Sequence, residues 1–153
     1  MAHLSEIELK VFIAAVSNYF QQLTEEPAII KSSYLADTEL PHFDYTGLIT
    51  LSGRFRGCVY FSAPRLMVRE LLLQMQEPDT CEQNLLDAVG EVANTISGNA
   101  RRHFGSGLDI SVPLAIKGTM AQIKSALRTR PFAILLSWQR HEAVVVVDLE
   151  PVE

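Results

Sequence analysis

The segment DAVGEVANTISGNARRHFG, residues 87–105, combines a helical pattern of apolar residues with two glycines. Its apolar residues recur at the three- and four-residue spacing of an amphipathic helix. Two glycines, Gly90 and Gly98, stand one turn before and one turn after Asn94. Each glycine in a helix interior costs about 1 kcal/mol relative to alanine. The pattern therefore predicts a helix whose two glycines lower its stability and leave the surface around Asn94 without large side chains.

One side of this helix is predicted to face the core and the other to face solvent. At about 100° per residue, with Leu85 at zero, the apolar side chains fall within an arc of about 120°. They are Leu85, Leu86, Val89, Val92, Ala93, Ile96, Ala100 and Phe104. Asp87, Glu91, Asn94 and Gly98 lie opposite this arc, at about 180° to 240°. Glu91 and Asn94, three residues apart, are therefore neighbours on the outward surface.

A solvated polar face is the ordinary interpretation of such a surface. Asn94, Gly90 and Gly98 all lower helix propensity, however, at positions that we expect to be exposed and that would be more stable with alanine or lysine. The missing side chains would let the backbone of a partner approach closely while the short amide projects from the helix. The residues alone thus predict a docking surface. Arg101 lies on the exposed side near the helix C-terminus, where the helix dipole favours a cation.

The rest of the chain predicts an α+β fold with one domain, residues 1–153. A capping box of Ser5 and Glu8 begins a long first helix, and Pro27 ends it. Residues 28–36 are a predicted strand, residues 46–64 are two strands with a turn near Gly53, and a helix follows Pro64. Three more strands are predicted at 108–118, 132–140 and 143–151, with a polar loop at 118–131. We expect one antiparallel or mixed sheet, with the long N-terminal helix and the long helix of residues 87–105 packed on one face.

Composition excludes several classes of protein. The 153 residues are 48% hydrophobic and 20% charged, and 13 basic against 18 acidic residues leave a net charge of −5. The sequence has no basic cluster that would indicate a nucleic-acid partner, and none of its apolar runs is long enough to span a membrane. The N-terminus has no signal-peptide pattern, and Cys58 and Cys81 have neither metal-binding nor redox spacing, so we expect a reduced, cytoplasmic location.

The sequence lacks the motifs of enzymes that carry their own reactive group. No cysteine is followed six residues later by arginine, and there is no Walker loop and no nucleophile elbow. The four histidines have no metal-ligand spacing. Any catalysis is therefore expected to proceed without a metal, cofactor or activated nucleophile of this chain.

The segment DAVGEVANTISGNA resembles the helix signature of the CheC/CheX/FliY family of bacterial chemotaxis phosphatases, whose core is Glu-x-x-Asn. GLITLSGRFRGCVYFSAP is similar to the first hairpin of the family, and LDISVPLAIKG to the strand after its signature helix. The resemblance covers residues 45 to 120. CheC-type members can carry a second motif on the first helix, where this chain has Asn18 but Ala15 in place of the glutamate. A single complete motif is the CheX-like arrangement.

The resemblance implies a phosphatase that acts on a phosphorylated CheY-like response regulator, with Glu91 and Asn94 as the catalytic pair. Asn94 would orient the attacking water, and Glu91 would pair with the active-site lysine of the receiver domain. Asp87, Gly90, Gly98 and Arg101 would form the surrounding docking surface. Mg²⁺ is expected on the receiver, and no cofactor on this chain.

Two alternatives stay open: a non-catalytic receiver-binding or motor-associated module of the same fold, and an unrelated α+β interaction domain. The resemblance also implies a homodimer. The apolar strands predicted at 132–140 and 143–151 favour one too, because an apolar sheet edge should be paired or covered.

Overall fold

The computed structural model describes residues 5–36, 40–105, 107–118 and 130–152. Within these residues, three helices and seven strands follow one another as α1 (Glu6–Leu23), β1 (Ile29–Leu35), β2 (Tyr45–Gly53), β3 (Phe55–Ala63), α2 (Arg65–Gln74), α3 (Glu82–Phe104), β4 (Leu108–Ile110), β5 (Leu114–Lys117), β6 (Phe132–Trp138) and β7 (His141–Pro151). In these residues no helix combines the length and the apolar character needed to cross a membrane.

The predicted helix start at Ser5 is confirmed. The Ser5 hydroxyl accepts a hydrogen bond from the Glu8 backbone N–H at 3.1 Å, and the Ser5 N–H donates to the Glu8 carboxylate at 2.9 Å. These reciprocal bonds satisfy two of the donors that a helix N-terminus leaves without partners. The helix ends at Leu23, before Pro27, because the chain turns to extended geometry at Thr24.

The strands form one sheet in which every pairing is antiparallel, in the order β1-β6-β7-β3-β2-β4, with β5 also paired to β2. The α+β prediction is confirmed, and of the two sheet types that it allowed the structure has the antiparallel one. The predicted hairpin is present as β2 and β3, which meet at Arg54, beside Gly53. β2 is the strand on which α3 packs most extensively, so it positions the residues of that helix.

The apolar strands β6 and β7 lie inside the sheet, not at its edge. Residues 143–149 of β7 are all buried, as expected for a strand covered on both faces. The edge strand β1 is instead largely exposed and carries Lys31, Ser32 and Ser33. The expectation that β6 and β7 form an apolar sheet edge is therefore wrong, and the homodimer prediction rests on the family resemblance alone.

The described helices share one face of the sheet. Side chains from α1, α2 and α3 form a single core with alternate residues of the strands, including Ile49, Phe61 and Val145. The intervening strand residues form a smaller apolar cluster on the opposite face: Leu48, Cys58, Tyr60, Ile116, Ala133, Val144 and Val146. On that face the Tyr60 hydroxyl donates to the Pro41 carbonyl at 2.7 Å.

The strand predicted at 108–118 is split into β4 and β5. Leu51 pairs with Ile110 and Leu48 pairs with Leu114, so two residues of β2 face the three residues 111–113. One extra residue on one strand is a β-bulge. Pro113, which has no N–H to donate, lies at this interruption. The loop predicted for 118–131 falls mostly outside the described residues.

Backbone-to-backbone contact fixes α3 against the sheet. A Cβ atom on Gly47, in β2, would lie 2.1 Å from the Val89 carbonyl oxygen and 2.8 Å from the Gly90 nitrogen. Only glycine permits this approach, since any side chain would force α3 away from β2. The contact therefore sets both the distance of α3 from the sheet and the side of α3 that faces outward.

Gly47→Ala is expected to destabilise the protein by about 3 kcal/mol or more, because the new methyl group meets backbone atoms that cannot rotate away. Urea unfolding measures the effect. Gly98→Ala is the matched control: a Cβ there would have no atom of the described residues within 4 Å, and the better helix propensity should stabilise α3 by up to about 1 kcal/mol. A Gly47→Ala protein as stable as wild type would contradict the close packing.

Candidate functional site

The predicted site residues lie along the outward side of α3, hereafter the α3 face: Asp87, Glu91, Asn94, Gly98 and Arg101. Asp87, Glu91 and Arg101 are exposed, whereas Asn94 and Gly98 are half-buried. The structure thus brings the predicted pair and most of its predicted surroundings to one continuous surface. α3 rises about 1.5 Å per residue, so Glu91 and Asn94 lie about 4.5 Å apart along the helix axis.

Glu91 and Asn94 have different polar surroundings. The Thr95 hydroxyl donates to the Glu91 carboxylate at 3.3 Å, a long and weak hydrogen bond that leaves most of the carboxylate available. In the described part of the chain, no hydrogen bond engages the Asn94 amide. A primary amide has two donors and an acceptor, so Asn94 can bind a water or a partner without breaking an internal contact.

Tyr19 of α1 lies near enough to Glu91 to feel its charge. Its hydroxyl is buried and has no hydrogen-bond partner among the described residues. Burial, and to a lesser degree the negative charge of Glu91, raise the pKa of Tyr19 well above its ordinary value. The phenol therefore stays neutral and adds no negative charge near Glu91.

A groove between α2 and α3 borders the α3 face on one side. It has a volume of about 360 Å³ and is lined by Leu72, Met75, Glu77, Asn84, Asp87, Ala88 and Glu91. Asp87 is held there by a 2.8 Å hydrogen bond from the Gln83 amide. The described residues that line this groove include three carboxylates and no lysine or arginine, so they favour a cationic group of a partner.

Gly90 does not lie on the solvent side, and the prediction that it is exposed is wrong. It is buried, and a Cβ there would lie 3.2 Å from the Pro113 Cβ. α3 packs against helices as well as the sheet, so its buried arc spans about 200° and reaches the position of Gly90, at about 140°. The missing side chain makes room for the bulge at 111–113 and does not leave an open surface.

Gly98 has open space beside it, as the sequence predicts, but the residue is half-buried and not exposed. A Cβ at this position would have no atom within 4 Å, so nothing in the described chain fills the space beside it. Among the described residues, Gly98 therefore has no packing partner at the position of a side chain, in contrast to Gly90. An uncrowded surface one turn beyond Asn94 is what a closely approaching partner requires.

The first helix does not present a second pair. Asn18 is exposed on α1, but Ala15 is 4% exposed and belongs to the core. A glutamate at position 15 would place a carboxylate in this apolar core, which is costly. The single pair on α3 is thus the one complete motif among the described residues.

A polar cluster that sequence reasoning missed ties the start of α3 to the sheet. The Tyr45 hydroxyl donates to Glu82 at 2.5 Å, and Lys117 donates to the same carboxylate at 3.1 Å. Arg65 donates to the Tyr45 oxygen at 3.1 Å. Burial and the hydrogen bond to Glu82 raise the pKa of Tyr45, whereas the hydrogen bonds from Tyr45 and Lys117 lower the pKa of Glu82.

The members of this cluster come from β2, α2, α3 and β5, and no local spacing indicates them. Two of its three hydrogen bonds reach α3 through Glu82, so the cluster anchors the helix that carries Glu91 and Asn94. Among the residues that the structure describes, no three His, Cys, Asp or Glu side chains are grouped to hold a metal ion. Cys58 is buried and Cys81 exposed, and both are free thiols.

Several solved structures of chemotaxis proteins have the same fold. A putative chemotaxis protein from Desulfovibrio vulgaris Hildenborough is 23% identical, with a TM-score of 0.78, covering 97% of this chain and 100% of that one. Chemotaxis protein CheX from Vibrio vulnificus is 20% identical, with a TM-score of 0.75, covering 94% of this chain and 99% of that one.

The CheX-CheY-BeF₃-Mg²⁺ complex from Borrelia burgdorferi contains a chain 16% identical to this one, with a TM-score of 0.77 and coverage of 94% and 97%. No curated protein sequence matches this chain significantly. The family model described as chemotaxis phosphatase CheX matches residues 45–137, which include β2, β3, α2, all of α3, β4, β5 and nearly all of β6. The chain therefore belongs to the CheX family of chemotaxis phosphatases.

Proposed function

We propose that this protein promotes hydrolysis of the phosphoaspartate of a CheY-like response regulator. The observation that carries the proposal is the pairing of Glu91 with an Asn94 amide that has no internal hydrogen bond among the described residues, beside the open surface at Gly98. Membership of the CheX family and the structural likeness to a chain of the Borrelia CheX-CheY complex support this choice of partner.

Asn94 acts by positioning. A neutral amide is not a base at pH 7, but it can hydrogen-bond a water and hold it in line with the bond to be broken. The water oxygen attacks phosphorus, the bond between phosphorus and the aspartyl oxygen breaks, and phosphate leaves while the aspartate carboxylate is restored. Glutamine has the corresponding water-orienting role in GTPases, where positioning and electrostatic stabilisation account for most of the catalysis.

Glu91 acts as the tether. Its exposed carboxylate, one turn from Asn94, pairs with the active-site lysine of the receiver and thereby fixes the register of α3 on the partner. The negative groove beside Glu91 strengthens the attraction for that lysine. The Mg²⁺ of the reaction belongs to the receiver, where it stabilises the charge on the phosphoryl group.

Asn94→Ala is expected to lower the rate of phosphate release by about 100-fold while receiver binding and thermal stability stay near wild type, because the lost amide only orients water. Phosphate release from a phosphorylated receiver, at saturating protein, measures the rate. Asn18→Ala, an exposed asparagine on α1, is the matched control and should keep full activity. Wild-type turnover by Asn94→Ala would overturn the catalytic assignment.

Glu91→Gln is expected to weaken receiver binding about tenfold and to slow hydrolysis as well, because it removes a charged tether without changing side-chain size. Binding of a receiver carrying a phosphoryl mimic, titrated at low and high salt, gives the affinity and its ionic component. Glu25→Gln, an exposed carboxylate just after α1, serves as the control. A slower rate with unchanged affinity would argue against the lysine pairing.

Gly98→Leu tests the open surface, because stability and activity should move in opposite directions. Leucine is the better helix former, so the free energy of unfolding should rise by up to about 1 kcal/mol, or about 2–4 °C in Tm. The new side chain would hold the partner away from Asn94, and displacement by about 1 Å can cost about 100-fold in rate. A sharp drop in Tm would show that Gly98 packs inside, and retained activity would show that the partner does not approach there.

Receiver binding by the wild-type protein without any gain in phosphate release would support the non-catalytic module instead. A homodimer and a cytoplasmic location accompany the proposed function as expectations from the family resemblance and the reduced cysteines. Light scattering at tens of micromolar protein, about tenfold above a typical micromolar affinity, distinguishes a dimer from a monomer.

A further inference from the structure

The β-bulge between β4 and β5 presents an apolar side chain to solvent. Val112 is 86% exposed, the highest exposure among the large hydrophobic residues that the structure describes. It is the middle one of the three residues that face Ile49 and Thr50 of β2. Bulges redirect a side chain and are frequent next to functional sites.

The exposure of Val112 does not come from a loose segment. The Ser111 N–H donates to the Thr50 carbonyl at 3.0 Å, and the Thr50 N–H donates to the Ser111 hydroxyl at 3.0 Å. That hydroxyl donates in turn to the Val112 carbonyl at 2.9 Å. On the other side Pro113 packs on Gly90, so the bulge is held at both ends.

The bulge borders the α3 face on the side away from the α2 groove. Pro113 is adjacent to Val112, about 3.8 Å away between Cα atoms. Gly90, which Pro113 contacts, lies one turn, or about 6 Å, before Asn94 along α3. A domain that covers Asn94 is therefore within reach of Val112.

We propose that Val112 is an apolar contact through which this protein binds the receiver domain, and that Gly90 is the residue that admits the bulge against α3. The inference rests on the proposed function, which sets the receiver on the α3 face. The receiver is the occupant because the bulge is continuous with that face: the same partner meets the acidic groove on one side of Asn94 and the apolar bulge on the other.

The test separates affinity from catalysis. Val112→Ala and Val112→Asp are compared with wild type for KM and kcat in phosphate release, and for Kd with a receiver carrying a beryllofluoride phosphoryl mimic. Losing most of a buried valine contact should raise KM and Kd about five- to tenfold, and Asp should raise them further, while kcat changes less than about twofold. Melting temperature verifies that both exposed-site variants fold.

Ile29→Ala is the matched control, since Ile29 is 66% exposed on β1, at the opposite edge of the sheet. It should match wild type in both KM and Kd. Gly90→Ala is a second test of the bulge. The new Cβ would lie 3.2 Å from the Pro113 Cβ and should shift the bulge, so KM should rise even though alanine is the better helix former.

The outcomes distinguish this inference from the proposed function. Val112 variants with wild-type KM and Kd would overturn the inference while hydrolysis stands. A wild-type protein that binds the receiver without hydrolysing its phosphate would overturn the phosphatase proposal, and the Kd values of the Val112 variants would still decide the inference. A wild-type protein that does not bind the receiver would overturn both.

Discussion

The contact between Gly47 and the backbone of α3 is the constraint that determines the geometry of the site. The Val89 carbonyl oxygen occupies the space that a side chain on Gly47 of β2 would fill. α3 therefore lies closer to the sheet than it could if residue 47 had a side chain. A helix held by its backbone has little freedom to rotate about its axis. The contact at Gly47 therefore determines which residues of α3 face outward. Glu91 and Asn94 face outward for that reason, and the hydrogen bonds from Tyr45 and Lys117 to Glu82 hold the start of the same helix.

The two glycines of α3 look equivalent in the sequence but have opposite roles. Gly90 faces inward and accommodates Pro113, whereas Gly98 faces a space that the described chain leaves empty. Both glycines affect the surface around Asn94. Gly90 lets the bulge that carries Val112 lie beside the α3 face, and Gly98 leaves the turn after Asn94 uncrowded. The face is thus shaped by one glycine that packs and another that does not.

Local patterns predicted most of the fold and the position of the pair. The capping box at Ser5, the hairpin at Gly53 and the period of α3 depend on neighbouring residues, which a sequence displays directly. The long-range features were missed. The burial of Gly90 and the bulge at 111–113 depend on which elements pack together. The interior position of β6 and β7 likewise depends on the order of the strands in the sheet. The Tyr45–Glu82–Lys117 cluster joins residues that share no spacing, so no local pattern indicates it.

The most direct test of the proposed mechanism is the structure of this protein bound to a CheY-like receiver whose aspartate carries beryllofluoride and whose site holds Mg²⁺. The α3 face should cover the phosphoryl site, with the Asn94 amide within about 3 Å of a water in line with the scissile bond. Glu91 should lie on the receiver lysine. A complex in which the receiver occupies another surface and leaves Asn94 in solvent would contradict the mechanism.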